Sequence, residues 1–501
     1  MMGRLRILLL AFYCTFPMQV WGQPEKPAGG SSPGAQAEGP LCLCPENPRY
    51  LQYRGKPVLL ITSAEHYGAV VNLDFDGVAY LETLQKEGFN YTRIFGGTYI
   101  EPVENIFGIE KNTLAPLPGR FLAPWEKEDG LYDLERFSQA YLDRLTRFLG
   151  EAEQRGIIVE LTLFTSIYAE GAWALSPLNA ANNRNLTETP DFRRVNTLYN
   201  GGLKKVQEHY IRKLVRELNR FDNLFYEIQN EPWADNGNLV AFVNEEDDEV
   251  FTRGWQKRVE IANGVSLEWQ AWVASVIREE ESGLPKQHLI AQNIGNFAYD
   301  LEALPAGVSM VNFHYALPEA VTENLKIGGV IGLDETGFMP HEDAVYLRQA
   351  WRFMLSGGGL YNNLDYSFTT GHERGDWPVP PANPGWGGPG FREKLSLLVT
   401  TMNQVPFQEM EFTDQLLGSD VPGMKQYGLA KPGEVSLVYV EGFPPEGPVP
   451  RLPGGRYSLT WIDIHTGETV TEEVRFVPGT PMKVPFPVHE AVLKIQHLSK
   501  L

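Results

Sequence analysis

The chain is poor in cysteine, in basic charge and in long apolar runs, and each shortage removes a class of protein. Only three cysteines occur in 501 residues, and Cys14 falls in an N-terminal apolar segment, so a disulfide framework is excluded by count. The remaining pair, Cys42 and Cys44, has no further Cys or His at the spacing of a zinc site and reads as free thiols or a strained local bridge. Lys and Arg number 43 against 63 Asp and Glu, a formal net charge of −20. Phosphate binding needs basic patches, and the chain offers none, so nucleic acid is not an expected partner. One apolar run, 7–21, follows Arg4 and Arg6 and leads to Val20-x-Gly22. It reads as a secretory signal over 1–22, with a membrane anchor as the alternative. No other run is long and apolar enough to span a bilayer. The expectation is a secreted or periplasmic protein with no membrane span after signal removal.

What is present points to a large folded enzyme-sized core. Apolar residues make up 43% of the chain and aromatics 12%, and the length exceeds the roughly 250 residues at which a single core stops growing. Residues 23–46, dense in Gly, Pro, Ser and Ala over 23–40, read as a flexible linker. Beyond it, strand-like apolar runs occur at 56–62, 89–95, 157–164, 224–228, 289–292, 308–315, 329–333 and 359–364. Helical periodicity fills the intervals: in 206–221, Val206, Tyr210, Ile211, Leu214, Val215 and Leu218 recur at the spacing of a stripe packed on a sheet. Polar residues gather where the runs end, which is the pattern of a (β/α)8 barrel, an α/β TIM fold, over 47–404. From about 405 the pattern changes to short strands, with Tyr457-Ser-Leu459-Thr-Trp461 alternating and His465-Thr-Gly467 supplying a turn. A small all-β sandwich over 405–501 is expected.

The barrel is organised around 223–233, N-L-F-Y-E-I-Q-N-E-P-W. A buried strand there delivers Asn230 and Glu231 to a sheet edge, and Pro232 prevents the ladder from continuing. Strand seven ends in Asp334-Glu335, across the barrel mouth from strand four. A solvated loop position explains any single Glu in so acidic a chain. Two of them at facing strand tips instead suit the retaining hydrolysis of a glycosidic bond, which needs two carboxyl groups about 5–5.5 Å apart.

The Asn230-Glu231-Pro232 tip resembles the fourth strand of clan A retaining glycoside hydrolases, most closely the cellulase-like family 5 group. The Tyr457-x-Leu459-x-Trp461 pattern with its Thr-Gly-Glu turn resembles the sandwich appended to several bacterial barrels of that clan. The resemblance implies a retaining hydrolase of β-glycosidic bonds in a poly- or oligosaccharide, with no cofactor and no metal. It assigns Glu231 as acid/base and Glu335 as nucleophile, and it places an Arg at the position of Arg93. The family's His after strand three and Trp ending strand eight are replaced here by Phe164-Thr-Ser166 and Asn362-Asn363-Leu-Asp365, so no particular sugar is implied.

The neighbours are read for roles in such a site. Asn230 is a candidate for the sugar 2-hydroxyl, provided the strand bulges or ends there, since strict alternation would turn it away from Glu231. Glu227 reads as a buried barrel-layer residue. Tyr315 is placed to hydrogen-bond Glu335, His314 to contact substrate or orient Glu231, and Arg93 to pair with Glu335. Trp233 is the candidate sugar platform, with loop packing as its bland alternative. His66 and Tyr67 are substrate-contact candidates by location at the end of strand one. The acidic run 245–249 reads as a solvated face or a calcium site. Two other readings stay open: an apiosidase-like barrel acting on a side-chain sugar, and a carbohydrate-binding barrel without catalysis.

Overall fold

The computed structural model describes residues 39–500 apart from 66, 104–106, 189, 244–252, 419–422, 445–446 and 487. The signal and most of the linker, His66 and the acidic run 245–249 lie outside the described residues. Eight parallel strands form the barrel: β1 (Leu60–Ala64), β2 (Tyr91–Phe95), β3 (Ile158–Thr165), β4 (Leu224–Asn230), β5 (Ile290–Asn296), β6 (Met310–His314), β7 (Val330–Glu335) and β8 (Leu360–Leu364). Their hydrogen-bonded order is β1-β8-β7-β6-β5-β4-β3-β2. At the seam the Asn90 side chain joins the two ends, its Nδ2 donating to Leu59 O at 2.8 Å and its Oδ1 accepting from Ile61 N at 3.3 Å. Strand five runs four residues past its expected end because Asn293 and Asn296, which break the apolar pattern, are buried.

Two-residue alternation builds the barrel interior in layers. At the bottom, Leu60, Tyr91, Ile158, Phe225, Ala291, Met310, Val330 and Leu360 form one apolar cluster, closed from below by Leu41 and Leu51. The ordered chain therefore begins earlier than the linker reading over 23–46 implied: Cys42–Leu43 pairs with Leu51–Tyr53, and Leu41 N donates to Asp222 O at 2.9 Å. Both cysteines are free thiols. Two residues higher on the same strands stand Thr62, Arg93, Glu160, Glu227, Asn293, Asn312 and Asn362, all buried. The interior thus changes from apolar to polar halfway up, toward the strand C-termini.

The expected β-sandwich domain forms around a six-stranded antiparallel sheet, β9 (Glu411–Thr413), β10 (Lys425–Lys431), β11 (Val435–Glu441), β12 (Gly455–Ile462), β13 (Thr469–Phe476) and β14 (Glu490–Lys500). Its order is β9-β10-β11-β14-β12-β13. One face carries Leu437, Tyr439, Ile462 and Val492 into the barrel's own core. The other buries Val438, Tyr457, Leu459, Trp461 and Leu493 under Leu417, Met482 and Phe486. Residues 482–486, where apolar and other residues alternate as in a strand, are loop, held by Met482 N to Pro448 O at 2.8 Å. Their alternation reflects burial of two large side chains, not a ladder.

A polar joint fixes the sheet to helix Asp343–Leu355. Arg348 makes a two-pronged bond to Glu490 at 3.0 and 2.9 Å, and Arg352 donates to Glu441 at 2.6 Å. Burial alone would raise the Glu490 carboxyl, but hydrogen bonds from His465, Arg348 and Tyr439 outweigh it and bring it down to about 2. A carboxyl lowered in this way adds stability that is full above its unfolded value, about 4.3, and is lost as pH falls through its folded one. Glu490→Gln is predicted to cost about 2–3 kcal/mol at pH 7, near the low end for unpairing a buried charge, since Arg348 keeps 34% of its side chain in solvent. Urea denaturation of both proteins from pH 7 to pH 3 checks it: the gap should narrow in acid, and a pH-independent gap would contradict the ion-pair account.

Candidate active site

The polar layer is centred on Arg93, which alternation turns inward from β2 with no exposed surface. A guanidinium there requires carboxylates. The expectation paired it with Glu335. That pairing is present at 3.4 Å, and a closer one is added: Nε and Nη2 form a two-pronged bond with Glu227, both at 2.7 Å, because Glu227 shares the buried layer of Arg93 while Glu335 stands above it. Nη1 reaches Tyr67 Oη at 3.0 Å and Glu335 at 3.4 Å, Nη2 reaches Asn230 Oδ1 at 2.8 Å, and Asp334 lies 3.4 Å away. Arg93 and His314 hold Asp334 at about 2 against its burial. Glu160, 4.0 Å from Arg93, goes the other way: burial and the charges of Glu227 and Asp334 raise it well above the carboxylate range. Glu160, Glu227 and Asp334 lie within metal-ligand distance of one another, and the Arg93 charge takes the place a cation would fill.

Two local departures from regular strand geometry aim the carboxylates above this layer. On β4 the strand ends at Asn230, and Glu231 turns into the left-handed region at φ 46°, ψ 52°, before Pro232 opens a short helix. That ending lets both Asn230 and Glu231 face the barrel axis. The conformation costs a non-glycine residue about 1–2 kcal/mol, and two bonds hold it: Glu231 N to Asn293 Oδ1 at 3.0 Å and Ser166 Oγ to Glu231 O at 2.7 Å. On β7 the register with β6 skips Asp334, Leu333 facing Phe313 and Glu335 facing His314. The bulge sends Asp334 down toward Asn293 and Asn312, at 3.0 and 3.2 Å, and frees Glu335 for the mouth.

Glu231 and Glu335 meet in a cavity of about 420 Å³. Their nearest carboxylate oxygens, together with His314, lie within 4.8 Å of one another. Tyr315 Oη bridges the pair, 2.9 Å from Glu335 and 3.3 Å from Glu231. His314 Nδ1 bridges it from beneath, 3.0 Å from Glu231 and 3.4 Å from Glu335. Tyr67 Oη donates to Glu335 at 3.2 Å and Tyr168 Oη to Glu231 at 2.8 Å. Burial pushes Glu335 up to about 7, with the Glu231 charge adding and His314 and Arg93 opposing. Burial would raise Glu231 too, but hydrogen bonds from His314, Tyr168 and Tyr315 hold it below the usual range. His314 itself is raised well above 6.5: burial works against its charge, and Glu335 and Asp334 outweigh burial.

The structure therefore brings Arg93, Asn230, Glu231, His314, Tyr315, Glu335, Tyr67 and Trp233 to one place. His314 is fully buried, so it orients Glu231 and does not reach the cavity. Trp233 lines the cavity but stands edge-on to His314, with ring centres 5.2 Å apart. His66 lies outside the described residues. Missed from sequence were Tyr168, Glu101, Trp255, Phe338 and Tyr366, all of which line the cavity. They sit in long loops without periodicity, and the sole cue for Tyr168 was its place just beyond the end of β3.

No protein-family model and no curated protein matches the chain by sequence. Solved structures match it in shape. A glycoside hydrolase family 5 protein from Bacteroides vulgatus ATCC 8482 has TM-score 0.60 at 14% identity, covering 92% of this chain and 94% of that one. A second glycoside hydrolase has TM-score 0.58 at 13% identity, covering 92% and 97%. At such identities the likeness establishes a shared fold, barrel and C-terminal sheet together.

Removing one of the three donors to Glu231 tests the electrostatics directly. Tyr168→Phe is predicted to raise the Glu231 pKa, read by carbon-13 NMR of the glutamate carboxyls across pH; an unchanged Glu231 titration would contradict the assigned contact.

Proposed function

We propose that this protein is an exported retaining glycoside hydrolase acting on β-linked poly- or oligosaccharide. The observation that carries the reading is the Glu231–Glu335 pair, oxygens within 4.8 Å, at the ends of β4 and β7 and joined by Tyr315 and His314. That separation suits a nucleophile attacking directly, with no water between the carboxyl groups. Solved structures of like fold that are glycoside hydrolases support it. The run 1–22 supports export.

The resting proton belongs to the pair, and the site can move it. Without substrate it favours Glu335, because the His314 cation holds Glu231 ionised. This reverses the order expected for the first chemical step. A sugar entering the cavity excludes water while Tyr67, Tyr315 and Arg93 continue to donate to Glu335. Through His314 Nδ1, within reach of both carboxylates, the proton passes to Glu231. Glu335 then attacks the anomeric carbon as Glu231 protonates the departing oxygen, forming a glycosyl ester. In the second step ionised Glu231 takes a proton from water, the water oxygen attacks the same carbon, and Glu335 leaves. Asn230 Oδ1, bonded to Arg93, keeps a lone pair for the sugar 2-hydroxyl.

Glu335→Gln is predicted to abolish hydrolysis of aryl β-glycosides with the fold intact, and retained turnover would remove Glu335 as nucleophile. In Glu231→Ala, substrates with poor leaving groups should slow far more than activated aryl glycosides, and azide should accelerate turnover and appear as a β-glycosyl azide. Equal slowing without azide product would end the acid/base assignment. In the unaltered protein kcat/KM should fall as pH rises through about 7, where the pair loses its proton and Glu231 has none to give. A profile flat to pH 9 would contradict this.

A further inference from the structure

Just past the end of β3, Tyr168 turns into the left-handed region at φ 61°, a conformation that is uphill for any residue with a Cβ. Beyond the ladder the Ile167 and Tyr168 N–H groups still need acceptors. One carboxylate supplies both: Asp235 Oδ2 accepts from Ile167 N at 2.9 Å and Oδ1 from Tyr168 N at 3.3 Å. Asp235 is 9% exposed and sits in the short helix Pro232–Asn236, four residues after Glu231. Two further bonds join the same stretches, Ser166 N to Asn230 O at 3.0 Å and Ser166 Oγ to Glu231 O at 2.7 Å. Neither reaches Tyr168 itself.

The Tyr168 phenol closes a chain of donors that starts on the buried guanidinium. Arg93 Nη2 donates to Asn230 Oδ1 at 2.8 Å, Asn230 Nδ2 to Tyr168 Oη at 2.6 Å, and Tyr168 Oη to Glu231 Oε2 at 2.8 Å. The sense of the chain is fixed at its start, because a guanidinium only donates. The Asn230 oxygen must face it, the amide nitrogen must then face Tyr168, and the one phenol proton is left for Glu231. Bonds in such a chain polarise one another. His314 and Tyr315 hold Glu231 Oε1, so the Tyr168 bond to Oε2 sets the rotation of the carboxyl plane. Tyr99 and Phe107 pack edge-on against the Tyr168 ring, 5.9 and 5.3 Å between centres. Such packing is not directional, and the reach of the phenol depends on where its backbone is held. An amide at 235 could not replace the carboxylate, since it has one acceptor oxygen and would turn its NH2 toward the other N–H.

We propose that Asp235 is a positioning residue for the acid/base: by holding the Tyr168 backbone it keeps the Arg93–Asn230–Tyr168 chain in register with Glu231 and so fixes the carboxyl that serves the departing oxygen. Its catalytic part rests on the glycosidase reading above. The test compares the full chain, Asp235→Asn, Tyr168→Phe and the double variant on phenyl and 2,4-dinitrophenyl β-glycosides of the sugar hydrolysed fastest. Each single change should lower kcat/KM on the phenyl glycoside about tenfold. The dinitrophenyl compound, whose departure needs little protonation, should lose far less. The double variant should be no slower than the slower single one, because both changes remove the same bond. A crystal structure of Asp235→Asn should show Tyr168 Oη out of hydrogen-bond reach of Glu231. Equal slowing of both substrates, full additivity with Tyr168→Phe, or a Tyr168 left in place would each overturn the proposal. Should Asp235→Asn not fold, Asp235→Glu, which keeps the charge and displaces the acceptor, enters the same comparison. If no glycoside is hydrolysed, the glycosidase reading and the catalytic part of this inference fall together, and the crystal structure still decides whether Asp235 holds Tyr168.

Discussion

A guanidinium buried inside a β-barrel sets the terms for everything above it. Arg93 has no access to water, and its charge is tolerable only because Glu227 and Asp334 face it and Asn230 and Tyr67 accept its remaining protons. Those partners are then no longer free to move. Asn230 is fixed at the tip of β4, one residue before Glu231, and Asp334 at the bulge one residue before Glu335. The ion pair is a costly substitute for an apolar layer. Its return is that both cavity carboxylates stand on residues anchored to the same buried cation.

The surrounding fold supplies the contrast that makes this layer stable. Below Arg93 the barrel is filled by apolar side chains and capped by Leu41 and Leu51. Above it, the hydroxyls of Tyr67, Tyr168 and Tyr315 line the floor of the cavity. All three tyrosines, like Glu231, adopt left-handed backbone conformations at the strand ends. Strain of that kind concentrates where chain direction matters more than ladder regularity. Here it points phenols and a carboxylate back over the barrel axis.

Much of this was legible in the residues. Eight strand-length apolar runs with polar tips gave the barrel, because each buried strand must be apolar on its outer face and its C-terminal end alone is released to do chemistry. Glu231 and Glu335 were found by facing positions, and Glu227 as a buried hydrogen-bonded residue by its period from Glu231. Arg93 does pair with Glu335 as expected, but its shorter bonds to Glu227 were not foreseen: height along the barrel axis, not strand order, decides which carboxylate a buried Arg meets most closely. Alternation correctly required a break at Asn230 but said nothing of the bulge at Asp334. Tyr168 and Glu101 were invisible, since loop conformation is set by contacts distant in sequence, such as Thr113 with Glu65 and Glu110 with Asn383. Nor does the sequence show that Asp334 and Glu335 keep His314 charged, which is part of what lowers the Glu231 carboxyl.

The central claim is that Glu335 forms a covalent bond to the sugar while Glu231 serves the proton. A 2-deoxy-2-fluoro β-glycoside with an activated leaving group slows the second step more than the first and lets the ester accumulate. Mass spectrometry of the intact protein and its peptides should then find one sugar per chain, carried by Glu335, and none after Glu335→Gln. A label on Asp334 or Glu231, or hydrolysis that inverts the anomeric centre with no label at all, would contradict the account.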